Sequence, residues 1–490
     1  MRFLLDTNVL IPLEDSNHVL EESLANFVRL SHEHGHVLTY HPASEDDFNR
    51  DTNVERRKKN FERIRQYTKL DNRLICPWNL PETNPNDAAD NEILYSLACE
   101  AVHVLVSEDK GIHVKAKEKG LSNRVYTIQT ADDWLRRLHE KKKVELPNIE
   151  DVSLHALTPY LGSDFFKSLH EDYDYDVWFR NKARDGRRAW VTWQQPDILG
   201  ALCIYSQQND ERITKEGLVL KGPALKLCTF KVSEAVQGRK IGELFLKAAF
   251  RYATDNRLEN IFIHGDKNKH YFLFEMLKDF GFSHVGSDTG SNGRDVVYLK
   301  RHPVSRPDDN QCAFEYMKNY FPHFKHDNNV GKYIVPIQSK YHQILFPDYQ
   351  AAIKKQLNLF APENFVGNAI KLAYLCHAQT KQINPGDVVL FYRSQDEKAI
   401  TSIGVVENYD TLQDVEAIAR YVKRRTVYSM DEIKEMTKKT TRVMLFRVIK
   451  HLKIPLRQGY LRKNNILHFA PQSITKISHD TFERIMASAE

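Results

Sequence analysis

The first dozen residues constrain this chain most. Phe3, Leu4 and Leu5 form a short apolar run that ends at once in Asp6, Thr7 and Asn8. Such a run reads as a buried strand that delivers a carboxylate, a hydroxyl and an amide to its C-terminal end. Two further acids stand in comparable settings. Asp90 opens the helical pattern Asp90-Asn91-Glu92-Ile93-Leu94, and Asp109 follows the apolar run Val104-Leu105-Val106 and Ser107-Glu108. Taken singly, an Asp after a strand is more often a helix cap than a metal ligand. Three of them, converging from distant sequence at strand ends and helix starts, are the oxygen donors a Mg²⁺ or Mn²⁺ ion needs. Asp6, Asp90 and Asp109 are the expected ligands.

Together these residues resemble the PIN-domain nucleases over residues 1–145. The resemblance implies a parallel α/β sheet with an acidic quartet at its C-terminal edge. Asp6 matches the first acid, Asp90 the third and Asp109 the fourth, with Ser107 in the hydroxyl place before it. The second acid should follow the strand Gly35–Tyr40, where Glu45, Asp46 and Asp47 all lie. Asp47 is favoured because the apolar Phe48 follows it, and Asp87 and Glu108 stand as alternatives to their neighbours. The activity implied is metal-dependent endoribonuclease, with Asp6, Asp47, Asp90 and Asp109 as catalytic residues and RNA as substrate. A toxin or phage-defence setting, with an antitoxin or regulatory partner, follows from the same resemblance.

A chain of 490 residues is too long for one core, so a multidomain α/β and α+β protein is expected. No apolar run approaches the ~20 residues that cross a bilayer, so no membrane partner is expected. Six scattered cysteines without a C-x-x-C pair fit a reducing cytoplasm. Boundaries are expected near Glu140, where a charged helix end meets Pro147, and in 302–312, where prolines and polar residues form a linker. Units at 1–145, 151–301 and 313–490 follow.

The middle unit carries an alternating strand, Leu225–Val232, then Gln237-Gly238-Arg239-Lys240-Ile241-Gly242, then helical spacing at Leu244, Leu246, Ala249 and Phe250. A glycine-containing turn that opens a helix offers free N–H groups and the positive end of the helix dipole to a pyrophosphate. With the strand Asn260–His264, a helix ending in Gly281-Phe282, and the earlier Trp178-Phe179 and Trp190 segments, this order is similar to the GCN5-related N-acetyltransferases (GNAT). The resemblance implies acetyl-CoA bound by Val232, Gln237, Gly238, Arg239, Lys240, Ile241 and Gly242. Lys240 stands where the family has its first glycine. The family's acid tyrosine would fall on Leu277, with Tyr271 one helical face away.

In the last unit, Pro385-Gly386-Asp387 is a turn and Val388–Tyr392 a β-branched and aromatic strand, with a return strand over Ile400–Glu407. Strands are also expected at Thr441–Ile449 and Asn465–Phe469. The pattern resembles the PUA-like superfamily with its ASCH and EVE members, which implies a small β-barrel that reads RNA or modified nucleobases. Tyr374, His377, Tyr392 and Arg393 are the expected contacts, the aromatics stacking on bases. From Pro303 to Glu490 there are 27 Lys and Arg against 19 Asp and Glu, a surplus suited to RNA or DNA. Beside the nuclease reading stand two others: an acetyltransferase acting on a protein, tRNA or small-molecule amine, and a non-enzymatic nucleic-acid-binding regulator.

Overall fold

The computed structural model describes residues 1–14, 21–71, 73–78, 85–140, 148–170, 174–233, 236, 240–290, 294–349, 369–425 and 427–489. They divide into two compact units rather than the three expected. One unit comprises Met1–Val144, Gln413–Arg424 and Tyr428–Lys438, the other Glu145–Leu412, Arg425–Val427 and Lys439–Glu490.

In the first unit, β1 (Arg2–Leu5), β2 (Val37–Tyr40), β3 (Thr68–Lys69), β4 (Val104–Val106) and β5 (Val125–Tyr126) form a sheet of order β3-β2-β1-β4-β5. Every pairing is parallel. Phe3 to Leu5 and Val104 to Val106 are fully buried, as strands covered on both faces require. The chain winds outward from β1 in one direction, then returns to β4 on its other side. The crevice beyond the C-terminal ends of β1 and β4 is therefore the topological switch point, where open α/β sheets place ligands. Trp134, from the helix Ile128–His139, stacks on Tyr126 at 5.1 Å and donates its Nε1–H to the Ala419 carbonyl at 3.2 Å. That contact ties Gln413–Arg424 into this unit.

The second unit holds two sheets. Strands β6 (Glu150–Ser153), β7 (Arg188–Gln195), β8 (Ile198–Asn209), β9 (Pro223–Val232), β10 (Asn260–Asp266), β11 (Ser283–Ser287) and β12 (Asp295–Arg301) run in the order β11-β12-β10-β9-β8-β7-β6. Only β9 and β10 are parallel. Alternate residues of β7 and β8 face two cores. Val191, Leu202 and Ile204 meet the helix Tyr175–Arg184, whereas Trp190, Cys203 and Tyr205 meet the helix Ile241–Asp255.

The other sheet comprises β13 (Lys332–Gln338), β14 (Lys371–Cys376), β15 (Val388–Ser394), β16 (Ala399–Leu412), β17 (Thr441–Arg457) and β18 (Thr475–Lys476). Its order is β14-β17-β16-β15-β13-β18, with β14 and β18 at the edges. The closed barrel expected from the PUA-like resemblance is thus, among the described residues, an open mixed sheet. Asn465–Phe469, expected as a strand, forms none, whereas β17 continues to Arg457.

The stretch at 302–312 does not separate two cores. Met317, Phe321, Ile370 and Val405 pack in the same cluster as Phe250, Phe280 and Phe282. Gly281 sits at φ +83°, and an added Cβ would lie 2.3 Å from the Lys318 carbonyl oxygen, so no other residue fits there. Lys300 on β12 is fully buried and donates to the Lys318 and Asn319 carbonyls at 3.1 and 2.8 Å. Burial holds its ammonium down at about 7. Across the same junction, Asp279 pairs with Lys371 and, at 3.0 Å, with Arg447.

Candidate functional site

Three places collect the residues singled out above. At the end of β1, Asp6 and Asn8 tie down the segment after β4, and Thr7 ties down the helix after β2. Ser107 donates to Asp6 Oδ2 at 2.6 Å, Thr7 donates to Asp47 Oδ2 at 2.8 Å, and Asn8 Oδ1 accepts the Glu108 N–H at 3.2 Å. Of the three acids after β2, Asp47 is therefore the one placed beside Asp6. Glu45 pairs instead with Lys69 and accepts from Tyr40, and Asp46 pairs with Arg73. Asp109 caps the helix Lys110–Glu118, accepting from the Gly111 and Ile112 N–H groups. Glu108 accepts the Ile128 N–H at 2.7 Å and is committed there.

Burial pushes the Asp6 carboxyl up to about 6, aided by the charges of Asp109 and Asp47 against the hydrogen bonds from Ser107 and Thr7. Burial likewise raises Asp90 to about 7, with Asp6 and Asp109 adding to the rise. Asp47 and Asp109 thus act on Asp6, and Asp6 and Asp109 on Asp90. Lys115, which sequence reasoning missed, stands 2.9 Å from Asp87 and 4.0 Å from Asp90. The oxygen donors suit a hard cation in kind. Among the described residues no group of three or more His, Cys, Asp or Glu side chains is already gathered as a metal site. One oxygen of Asp109 is spent on its helix cap.

The second place lies between β9 and β10. Pairing runs from Ala224 with Asn260 to Leu227 with Ile263 and then stops, although β9 continues to Val232 and β10 to Asp266. The two parallel strands part there and leave a wedge. At the apex β9 carries a bulge, where Cys228 has no ladder partner on β8. Leu225, Leu227, Ile261 and Ile263 face the core of the helix Ile241–Asp255. By alternation, His264 turns to the opposite face. Its Nδ1 stands 2.9 Å from Asp288 Oδ1, and about a quarter of the ring (27%) remains accessible. Burial opposes ionisation of Asp288, but the hydrogen bonds from His264 and the Gly290 N–H win and hold it down at about 2. Sequence reasoning missed this pair; the one signal was a histidine ending the apolar run Ile261-Phe262-Ile263.

Of the expected acetyl-CoA loop, Gln237, Gly238 and Arg239 lie outside the described residues. Val232 ends β9, half-buried, and Ile241 is a core residue. Lys240, in the place reserved for glycine, takes the left-handed conformation glycine favours, φ +59°, ψ 21°, just before the helix Ile241–Asp255. Its Nζ donates to the Lys371 carbonyl at 3.2 Å. An added Cβ at Gly242 would lie 2.9 Å from Met276 Sδ, the movable end of a side chain on the helix Tyr271–Asp279. Left-handed backbone costs an L-residue ~1–2 kcal/mol, most for a β-branched one. Lys240→Val is expected to unfold at lower urea than Lys240→Gly, with a stability gap of about 2 kcal/mol in favour of glycine. Leu277, at the place of the family's acid tyrosine, is fully buried in the core, and Tyr271 opens its helix.

The third place corrects the nucleobase contacts. Tyr392 is fully buried and donates to Gln458 Oε1 at 2.9 Å, and Tyr374 donates to the Pro336 carbonyl at 2.6 Å from within the core. Arg393, 5% exposed, pairs with Asp396. Both faces of β15 are covered, and Tyr374 is buried on β14, so these side chains cannot stack on a base or reach a phosphate. His377 lies just past β14 and is exposed. All six cysteines are unbridged, and no described helix is long and apolar enough to cross a membrane.

Residues 154–282 match the model of the Acetyltransferase (GNAT) family and form an acetyltransferase-type domain, within a chain most of which lies outside that match. No curated protein matches the chain. Among solved structures, the ASCH protein of Zymomonas mobilis is similar at 12% identity and a TM-score of 0.24, over 32% of this chain and 96% of that one. Arabidopsis thaliana NAA60, solved in complex with acetyl-CoA, is similar at 12% identity and a TM-score of 0.24, over 31% of this chain and 97% of its own.

Proposed function

We propose that this acetyltransferase-type domain binds acetyl-CoA in the wedge between β9 and β10 and transfers the acetyl group to an amine. The observation that carries the reading is the parting of the two parallel strands after Leu227 and Ile263. Strand edges left without a partner offer N–H and C=O groups to the pantetheine amides, and the helix starting at Ile241 offers its N–H groups to the pyrophosphate. The match of residues 154–282 to the family supports it.

In this reading His264, held by Asp288, takes a proton from the acceptor ammonium. The neutral amine attacks the thioester carbonyl carbon. The C–N bond forms, the C–S bond breaks, and the second nitrogen-borne proton passes to the leaving CoA thiolate. One proton is released overall. Leu277 supplies no acid, so the thiolate is protonated without a tyrosine. The test is thiol release on mixing the protein with acetyl-CoA and a panel of amines: spermidine, a lysine peptide and tRNA. Absence of both acetyl-CoA binding and thiol release at millimolar acetyl-CoA would overturn the reading.

A second reading concerns the N-terminal unit as an RNA-cleaving unit, and the observation that favours it is the convergence of Asp6, Asp47, Asp90 and Asp109 at the switch point of a parallel sheet. Asp6→Asn tests it twice. Because the folded Asp6 holds its proton up to about 6, ionisation costs stability as pH rises from ~4 to ~7. The variant is therefore expected to be more stable than wild type at pH 8, by ~1–3 kcal/mol, and equal to it near pH 4. RNA fragments produced in Mn²⁺ or Mg²⁺, absent in EDTA and absent with the variant, are the functional outcome expected. RNA left intact by wild type in every buffer would remove this reading.

A further inference from the structure

From Thr441 to His479 the chain has eight Lys and Arg and no Asp or Glu. Three of the eight, Arg442, Arg447 and Lys450, lie in the paired part of β17, and Arg447 is engaged by Glu407 and Asp279. The others follow where β17 leaves its regular pairing. Opposite β16, Ser402 pairs with His451 but Ile400 already pairs with Leu456, so Leu452–Pro455 bulge outward against the single residue Thr401. The bulge presents Lys453 and Ile454 to solvent, with Ile454 57% exposed. Arg457 follows, then the short helix Gln458–Lys463 and the loop to Thr475.

This segment is anchored by its apolar residues. Leu452, Leu456, Leu461 and Ile466 are buried with Phe482 and Ile485 of the last helix, His479–Ala489. What remains outside is basic and aromatic: Lys453, Arg457, Arg462, Lys463, Tyr460 and Phe469, with the Phe469 ring 82% exposed. None of Lys453, Arg457, Arg462 and Lys463 forms an ion pair with a described residue, unlike Arg393, Arg425 and Arg447 of the same sheet. A solvated charged surface ordinarily mixes both signs. A segment free of acids that presents a bare phenyl ring and four cations outside the described ion pairs has the chemistry of a single-stranded nucleic-acid track, in which cations meet phosphates and an aromatic face takes an unpaired base.

We infer that the surface formed by the β17 bulge, the helix Gln458–Lys463 and the following loop binds single-stranded RNA, with Lys453, Arg457, Arg462 and Lys463 on phosphates and Phe469 stacked on a base. The occupant is a nucleic acid rather than an acidic peptide because an exposed ring beside cations adds affinity for a base and nothing specific for a carboxylate. This replaces the buried Tyr374, Tyr392 and Arg393 as the recognition surface. It does not depend on acetyl transfer or on RNA cleavage.

The test uses the full chain, a fluorescently labelled single-stranded RNA of mixed sequence, and anisotropy at several salt concentrations in EDTA. Wild type is expected to bind with a log–log salt slope that falls by about 0.7 for each phosphate contact removed. The variant with Lys453, Arg457, Arg462 and Lys463 all changed to Gln should bind at least about tenfold more weakly and lose most of that slope. Phe469→Ala should weaken single-stranded RNA by about fivefold or more and leave duplex RNA unchanged. All five positions are exposed, and matching circular dichroism and melting curves check that the fold is kept. No binding by wild type, or binding that both variants retain in full, overturns the inference. Equal affinity for phosphatidylserine vesicles or a poly-glutamate peptide, insensitive to Phe469→Ala, overturns it in favour of those partners.

Discussion

Replacing Glu407 by alanine is expected to destabilise the second unit by about 3–5 kcal/mol. Glu407 accepts from Arg425 at 2.9 Å and from Arg447 at 3.3 Å, and Arg447 is 2% exposed. Burial opposes the Glu407 charge, but Arg425, Arg447 and Lys371 outweigh it and hold the carboxyl well below the usual range. Removing it leaves Arg425 without its Glu407 partner and leaves the buried Lys371 and Arg447 to Asp279 and the nearby Glu243. Arg29–Glu33, with both side chains about half exposed, is the contrast. Glu33→Ala there should cost less than ~0.5 kcal/mol. Urea denaturation of both variants measures the difference, and equal midpoints would contradict the account. The sign with pH is also fixed. A carboxylate held low adds stability above its unfolded value of 4.5, and that gain drains away as pH falls.

His264→Gln is expected to lower kcat for acetyl transfer by about 10²–10⁴-fold while leaving acetyl-CoA affinity within about twofold of wild type. The reason is placement. His264 is the first residue of β10 beyond its pairing with β9, its ring is partly open to solvent, and Asp288 fixes its other nitrogen. In the proposed reading it acts on the acceptor and not on the nucleotide end of acetyl-CoA. Asp288→Asn, a positioning change, should shift the pH profile of kcat and lower it less. Stopped turnover with lost acetyl-CoA binding in His264→Gln would instead mark a structural role.

Much of this arrangement was legible because it depends on local periodicity. The apolar run before Asp6 and the alternation of Leu225–Val232 each became the strand they imply, and the spacing after Gly242 became the helix Ile241–Asp255. The choice among Glu45, Asp46 and Asp47 was not local. Consecutive helix positions point about 100° apart, and the Thr7 hydroxyl decides which of them faces Asp6. Tyr374, Tyr392 and Arg393 failed for a related reason. An aromatic strand shows which residues alternate, and not which of its two faces water can reach, and here both faces of β15 are covered. The merging of the central and last segments into one unit was invisible in sequence. Its bonds join Asp279 to Lys371 and Arg447, partners far apart along the chain, and such pairs leave no periodic trace.

That junction bears on heredity as much as on folding. A domain that closes its own core can be cut out, cloned alone and traded between genes. The acetyltransferase-type sheet is not closed in this way, because Gly281 is pressed against the Lys318 backbone and Lys300 donates to the Lys318 and Asn319 carbonyls. A gene fragment ending at Arg301 would encode a protein with a raw apolar flank and a stranded ammonium. The two sheets of this unit are therefore inherited, expressed and lost together.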